Sequence, residues 1–452
     1  MSRAPVAGGP RGAGMRHPAS GIRHSEWTRE ITYRRAVTSP TTRHHTRGRI
    51  AVTTCGLVAL ALSGCSADPS ASTSPTPVAA TSAPSSARSA SPTASQDPAA
   101  ACVSSTRESM SQDQRLGQLL MVGFDTNAPL ESLDDLVTKD HVGNVIYLGG
   151  WDGADKVTRT STHLQDLVST SATGDVGLMI AADQEGGEVH QLRGEGFTRP
   201  PSAKRQAQLE PAELTREAAS WARELKAAGI NVNLAPVTDT VPREIGTANE
   251  PIGRWGRQYG STPEAVSRSA TAFLEGMLEG GVEGTVKHFP GLGRIRNNTD
   301  FSSTGITDSV ATADDPFLQP FADGIAAGAG IVMMASARYP KLDDDNPAMF
   351  SEKIVTGLLR ERMGYDGVVI TDDVNAEALD AVPVGDRAVR HLAAGGDIVL
   401  TGAASDADEM LEALAAEVAE DDAFAAKVDA SVERVLTLKE RMGLLPCSTT
   451  KP

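Results

Sequence analysis

Eight short apolar runs alternate with longer amphipathic stretches along most of the chain. Each run has four to eight residues and is rich in Val, Ile, Leu or Met, a composition typical of strands buried on both faces of a parallel sheet. We therefore predict strands at Gly117–Phe124, Val142–Leu148, Gly177–Ala182, Val232–Val237, Gly284–Phe289, Gly330–Ala335, Gly367–Ile370 and Asp397–Leu400.

The stretches between these runs repeat apolar residues every three or four positions, which predicts helices. The main ones are Pro211–Ala228, Pro263–Glu279, Pro316–Ala327, Ser351–Met363, Asp406–Ala419 and a final helix at Ala425–Met442. Alternating strands and helices of this number predict an α/β fold, a (β/α)8 TIM-type barrel. An open doubly wound sheet is the alternative, although the turn after the first strand lacks the GxGxxG of dinucleotide-binding versions. We expect a single catalytic domain at 101–447, with no second α/β domain and a short tail at 448–452.

The first hundred residues have a different character. Residues 1–65 hold ten Arg, no Lys and two Glu, and an apolar run, Ile50–Leu62, ends in Leu62-Ser63-Gly64-Cys65. This arrangement is typical of a signal region whose lipobox cysteine, Cys65, becomes lipidated. Residues 66–100 are almost wholly Ala, Ser, Thr and Pro, which predicts a disordered tether.

The net charge and the cysteines limit which partners and which redox compartment suit this chain. The net charge is −16 in spite of the basic N-terminal region, so the rest of the chain is strongly acidic, which argues against a nucleic-acid partner. Cys102 and Cys447 lie near the two ends of the predicted barrel. In an exported protein they could form a disulfide, although two unrelated thiols remain an alternative. No CxxC motif or His cluster suggests a metal site.

Polar side chains gather where the predicted strands end, which is where parallel barrels place their chemistry. Carboxylates and cations of this kind can grip sugar hydroxyls, and a carboxylate can attack a sugar's anomeric carbon. Taken singly, each residue could also be a solvated loop residue or a buried structural partner. The candidates are Asp183 and Glu185 after strand 3, Asp239, Arg254 and Arg257 after strand 4, Lys287 and His288 in strand 5, Ser336 and Arg338 after strand 6, and Asp372 and Asp373 after strand 7.

Several motifs together resemble glycoside hydrolase family 3, in its single-barrel branch of bacterial β-N-acetylglucosaminidases. The resemblance runs from about Ser111 to Leu445. It rests on QRLGQLLMVGF at 114–124, DQEGG at 183–187, NLAPV at 233–237, KHFPG at 287–291, PAMFS at 347–351, ITDD at 370–373 and SVERVL at 431–436. By this resemblance Asp372 is the catalytic nucleophile, and the first sugar is held by Asp183, Arg257, Lys287 and His288.

The chain departs from the family after KHFPG, where members carry an Asp-x-His pair whose His is the general acid/base. Counted without gaps, Asn298 stands at the position of that Asp and Asp300 at the position of that His. An ordinary solvated Asp is ionised at neutral pH, so Asp300 can act as the acid only if burial or the nucleophile raises its pKa. Asp308 is another candidate acid.

Together these expectations predict a retaining β-glycosidase with Asp372 and Asp300 as catalytic residues. More specifically, they predict a β-N-acetylhexosaminidase that acts on cell-wall muropeptides or related glycans. The alternatives are a catalytically degenerate glycan-binding lipoprotein and a glycoside phosphorylase. The proposed chemistry requires no cofactor or metal. The partner is a carbohydrate, the membrane is reached through a lipid anchor only, and the location is extracytoplasmic on the bacterial cell membrane.

Overall fold

The computed structural model describes residues 97–448. Within them, eight parallel strands follow the order in which they occur in the chain. A bridge between Ile370 and Ile398, with a 3.0 Å hydrogen bond from the Thr371 N–H to the Ile398 carbonyl, links strand 7 to strand 8. The sheet therefore forms a nearly closed barrel rather than an open doubly wound sheet.

Helical segments separate the strands and cover the barrel from outside. The strands of the barrel are β1 (Leu120–Asp125), β2 (Asn144–Leu148), β3 (Met179–Ala182), β4 (Val232–Asn233), β5 (Glu283–Phe289), β6 (Ile331–Met334), β7 (Val368–Thr371) and β8 (Val399–Thr401). The helices are α1 (Pro98–Ser109), α2 (Gln112–Gly117), α3 (Asp134–Thr138), α4 (Ala154–Asp166), α5 (Thr170–Thr173), α6 (Ala203–Gln206), α7 (Pro211–Ala227), α8 (Pro263–Glu279), α9 (Gln319–Ala326), α10 (Lys353–Arg362, wound as a π-helix), α11 (Val384–Ala393), α12 (Ala407–Glu420) and α13 (Asp422–Arg441).

The strands are buried almost without interruption, as the apolar runs predict. All seven residues of β5 are buried, including the charged Lys287 and the polar His288 near its end. Parallel strands covered by helices have no solvent face, so their sequences do not alternate between apolar and polar. The charged residues at the end of β5 are therefore exceptions that need partners inside the barrel mouth.

The ends of the described chain are joined. A disulfide connects Cys102 in α1 to Cys447, with Cα atoms 5.6 Å apart. Helix α1 begins at Pro98, so the last three residues of the predicted tether, 98–100, are helical instead. Asp97 caps this helix by accepting the Ala99 N–H, and Pro98 suits a first helical turn.

Other predictions about the ends of the chain lie outside the described residues. These are the signal region and lipobox at 1–65, the tether at 66–96 and the tail at 449–452. None of the helices between residues 97 and 448 has both the length and the apolar content needed to cross a bilayer.

The final helix binds the end of the barrel at which the strands begin. Lys439 of α13 is fully buried, and its Nζ donates to the Gln118 Oε1 at 2.6 Å and to the carbonyls of Gly143 and Gly177 at 2.9 and 3.0 Å. These acceptors directly precede β1, β2 and β3. The Lys439 side chain therefore links the beginnings of three neighbouring strands through hydrogen bonds. Burial lowers the pKa of Lys439 well below its usual value.

We expect Lys439→Met to lower the free energy of unfolding by about 1–3 kcal/mol, because three buried acceptors would lose their donor. Lys427→Met is the matched control, since Lys427 lies on the same helix but is about two-fifths exposed. Urea unfolding of both variants measures the difference. Equal stability of the two variants would contradict a structural role for the buried ammonium.

Candidate active site

The strand ends that carry the candidate residues meet at one rim of the barrel. β3 leads into Asp183, β5 carries Lys287 and His288 just before its last residue, and β7 leads into Asp372 and Asp373. Parallel strands in a barrel all point the same way, so side chains distant in sequence converge there. The structure brings together the four predicted sugar-binding residues and both predicted catalytic residues.

Glu185 organises the cationic side of this site. The Lys287 Nζ lies 2.5 Å from Asp183 Oδ1 and 2.7 Å from Glu185 Oε1. The Arg257 guanidinium binds the same Glu185 through two contacts, Nη2 to Oε1 at 2.6 Å and Nε to Oε2 at 2.8 Å. The ion pairs therefore form one continuous chain from Asp183 through Lys287 and Glu185 to Arg257. The Arg257–Glu185 pair is bidentate, a geometry that Arg favours.

Glu185, Arg257 and Lys287 keep their charges at neutral pH. Burial by itself raises the pKa of Glu185, but Arg257 and Lys287 outweigh it and lower the pKa to about 2. Burial lowers the pKa of Lys287, and Asp183 and Glu185 reverse this and raise it. Glu185 is only 4% exposed, so it is not the solvated loop residue that one interpretation of the sequence allowed. Glu185 is one of the candidates named after strand 3, and the structure shows that it holds both cations in place.

His288 is oriented by a second buried carboxylate. Its Nδ1 lies 2.8 Å from Asp239 Oδ2, and the Leu292 N–H donates to Asp239 Oδ1 at 2.6 Å. Asp239 is fully buried. An imidazole Nδ1 that faces a carboxylate carries the proton, which fixes the tautomer and leaves Nε2 for other contacts.

Asp372 is positioned by the backbone around it. Its N–H donates to the Met334 carbonyl at 2.9 Å, and its Oδ1 accepts the Asp373 N–H at 2.9 Å. Asp373 in turn accepts the N–H groups of Asn375 and Gly402 through its Oδ1, at 3.0 and 2.9 Å. One oxygen of Asp372 is thus fixed.

Asp300, on the loop that follows KHFPG, is close enough to Asp372 for the two charges to interact. Burial raises its pKa most, the charges of Asp372 and Asp373 raise it further, and Arg257 and His288 oppose them, so that the pKa reaches about 7. A carboxyl group with this pKa can donate a proton and take it back near neutral pH. The condition set by the sequence, that burial or the nucleophile raise this pKa, is met.

Other candidates from the sequence do not join the site. The Asp308 carboxylate accepts from Arg294 at 3.2 Å and from the N–H groups of Val310 and Ala311 at 2.8 and 3.0 Å. These contacts make Asp308 a structural anchor in this structure. Arg254 is exposed and pairs with Glu250, and Arg338 is exposed and donates to the Asp345 carbonyl.

Among the described residues, one group of carboxylates is close enough to share a metal ion, namely Asp343, Asp344 and Asp345. Asp343 already accepts from Ser351 at 2.7 Å and from Lys353 at 3.2 Å. These contacts account for its burial without an ion.

A family model agrees with this geometry. The model described as the glycosyl hydrolase family 3 N terminal domain matches residues 111–438. The chain belongs to glycosyl hydrolase family 3. It is a glycoside hydrolase, and the matched range includes every strand of the barrel and all the site residues described above.

Individual relatives are similar over most of their length. A Beta-hexosaminidase of Xylella fastidiosa (strain M23) is 34% identical over 296 residues, which are 62% of this chain and 82% of that protein. The crystal structure of a Beta-N-acetylhexosaminidase from Beutenbergia cavernae is 47% identical, with a TM-score of 0.71 over 73% of this chain and 98% of that chain. A family 3 beta-N-acetylglucosaminidase from Paenibacillus sp. is 33% identical, with a TM-score of 0.64 over 74% and 63% of the two chains.

Proposed function

We propose that this glycoside hydrolase is a retaining β-N-acetylhexosaminidase, with Asp372 as nucleophile and Asp300 as general acid/base. The observation that carries the proposal is the pair itself, a carboxylate at the end of β7 facing a carboxyl group whose pKa is raised to about 7. A carboxylate that can attack the anomeric carbon and a carboxyl group that can donate a proton and take it back are the pair that a retaining mechanism uses. The preference for an N-acetylated sugar rests on the hexosaminidases among the relatives.

The reaction runs in two displacements. In the first, Asp300 gives its proton to the glycosidic oxygen while an oxygen of Asp372 attacks the anomeric carbon, so the aglycone leaves as an alcohol and a glycosyl ester forms. In the second, the ionised Asp300 takes a proton from water, and the resulting hydroxide displaces Asp372 from the anomeric carbon. Each step inverts that carbon, so the product keeps the β configuration.

The remaining polar residues bind the sugar. Asp183 accepts hydroxyl protons, and the Lys287 ammonium and the Arg257 guanidinium donate to hydroxyl oxygens. Because Glu185 fixes both cations before the sugar arrives, little side-chain freedom is lost on binding. His288, held by Asp239, adds a further contact through its Nε2.

The degenerate glycan-binding alternative is not favoured. It was motivated by the absence of the family's His, and a carboxyl group with a suitable pKa lies at that position instead. A phosphorylase would use the same nucleophile and differ only in the acceptor, so added phosphate separates the two enzymes.

We further propose that the enzyme is exported and lipid-anchored through Cys65, facing an oxidising extracytoplasmic space where muropeptides or related glycans are its substrates. The sequence up to Cys65 motivates this proposal. The disulfide between Cys102 and Cys447 supports it, since structural disulfides are rare in a reducing cytoplasm.

The test is hydrolysis of nitrophenyl β-N-acetylglucosaminide by the full chain, with nitrophenyl β-glucoside as comparison. We expect faster release from the N-acetylated substrate, no acceleration by phosphate, and NMR detection of the β-anomer of the free sugar before mutarotation. First appearance of the α-anomer would refute the two-displacement mechanism, and preference for the glucoside would refute the N-acetyl assignment.

A further inference from the structure

Asn298 packs against the proposed acid/base from within the same loop. We call residues 294–305 the acid loop. The Asn298 side chain is 9% exposed, and its Oδ1 accepts the Asp300 N–H at 3.2 Å. An Asn that accepts the N–H two residues ahead forms a tight local turn, and this turn sets the direction in which the Asp300 side chain leaves the backbone.

Neighbouring loops fix the acid loop on both sides. On the strand 4 side, the Asn249 Nδ2 donates to the Ile295 carbonyl at 2.8 Å, and the Glu250 N–H donates to the Arg296 carbonyl at 3.1 Å.

On the strand 7 side, the N–H groups of Glu377 and Ala378 donate to the carbonyls of Asp300 and Thr299, each at 3.2 Å. The Asp300 backbone therefore has its carbonyl bonded to the loop that carries Asp372 and its N–H bonded to Asn298.

The charges that face Asp300 are Asp372 and Asp373 after β7, Arg257 from the strand 4 loop, and His288 of β5. Glu250, also on the strand 4 loop, approaches Asn298 itself and accepts its N–H at 3.4 Å. Asn298 is neutral in this acidic surrounding. An Asp at this position would place another carboxylate two residues from Asp300.

We propose that Asn298 is a positioning residue for the acid/base: its amide oxygen holds the Asp300 backbone, and its neutrality adds no further negative charge to the acid loop. This inference rests on the proposed function. Both properties matter because Asp300 has to change protonation state twice in each turnover. A misplaced carboxyl group misses the glycosidic oxygen, and one surrounded by too much negative charge keeps its proton when the second step needs a base.

Two substitutions separate the two properties. Asn298→Asp keeps an acceptor for the Asp300 N–H and adds a charge. The fall of kcat/KM at high pH, which we call the basic limb, should therefore move up by about one to two pH units, the size expected for a like charge about 7–12 Å away at an effective dielectric of about 20. Asn298→Ala removes the acceptor without adding charge, so kcat should fall about ten-fold or more with little change in KM, while the limb does not move up. Asn298→Ser, whose hydroxyl can still accept the N–H, should recover part of the loss.

The experiment uses the full chain with a β-N-acetylglucosaminide whose aglycone is a sugar or alkyl group, because the departure of such a poor leaving group needs the Asp300 proton. Rates are measured between pH 4 and pH 10, with thermal unfolding to show that each variant is folded. Ser303→Asp is the matched charge control, because Ser303 lies on the acid loop but is exposed, and its added charge should shift the limb much less. A native profile for Asn298→Asp, or a native kcat for Asn298→Ala, overturns the inference.

Failure of the proposed function gives a different result. If Asp300→Asn keeps both activity and the basic limb, then Asp300 is not the acid/base. If Asp300→Asn loses them while the Asn298 variants behave as native, only the positioning role is refuted.

Discussion

Asp372→Asn should lower kcat for nitrophenyl β-N-acetylglucosaminide by roughly 10⁴–10⁶-fold, the range typical of losing a catalytic nucleophile. An amide oxygen does not displace an aryloxide to form a stable glycosyl ester, so the first step has no low-energy route. The fold should be unaffected, because the Asn side-chain oxygen can still accept the Asp373 N–H that Oδ1 accepts now. Initial-rate kinetics and thermal unfolding on the same samples measure both expectations.

Asp125→Asn is the matched control for this variant. Asp125 ends β1 at the same rim, is exposed, and accepts from Asn127, so its loss should leave kcat within a few-fold of native. A small external nucleophile adds a stereochemical check. With Asp372→Gly, azide can attack the substrate directly in one displacement, and the product should be the α-glycosyl azide. Unchanged turnover in Asp372→Asn would remove Asp372 from the mechanism.

The strands of the barrel could be located from the sequence because burial on both faces makes them continuous apolar runs. All eight predicted strands overlap observed ones. The predicted ends of the strands agree less well with the structure. β1 was predicted from Gly117, but α2 ends at Gly117, since Ser111 and Gln114 form a capping box that starts a helix just before the run. β4 was predicted to Val237 but ends at Asn233, three residues before Pro236, which has no N–H to donate to a strand ladder.

Candidate site residues on strand ends can also be predicted from the sequence, because the carboxyl ends of all strands in a parallel barrel lie at one rim. Asp183, Lys287, His288 and Asp372 follow from this rule alone. The proposed acid does not follow from this rule, since Asp300 is suited to that role only through burial and the charges of Asp372 and Asp373. Those charges come from a loop more than seventy residues further along the chain.

Positioning residues were hardest to foresee. The sequence indicates Glu185 as a candidate carboxylate at the end of strand 3, but only the folded chain shows that Lys287 and Arg257 both bind to it. Asn249 gave no signal at all, yet its side chain joins the strand 4 loop to the carbonyls of Leu292 and Ile295. Such residues make contacts over more than forty positions, and no local pattern encodes them.

Asp300→Asn should separate the two roles of the acid/base. With a poor leaving group, such as an alkyl or sugar aglycone, the first step needs the proton, and kcat/KM should fall about 10²–10⁴-fold. With nitrophenolate, which leaves without much protonation, the first step should be affected far less. Water attack on the glycosyl ester then lacks its general base, so a burst of nitrophenol followed by slow turnover is expected. Comparison of the two substrate classes by stopped-flow and steady-state rates measures this difference.

The pH dependence of kcat/KM and the product formed with azide both depend on the two proposed roles of Asp300. The first step needs Asp300 protonated, and its pKa is raised to about 7, so native kcat/KM should fall as pH rises through about 7, and Asp300→Asn should lack this fall. Azide needs no general base, so it should restore the second step in Asp300→Asn and give the β-glycosyl azide, the opposite anomer to that from Asp372→Gly. A basic limb that survives in Asp300→Asn, or an α-azide product from it, would assign the proton to another group. In Asp372→Gly azide replaces the carboxylate that attacks the sugar, and in Asp300→Asn it replaces the water that attacks the glycosyl ester. Opposite anomers from the two variants would therefore require one carboxylate that bonds to the sugar and another that only moves a proton.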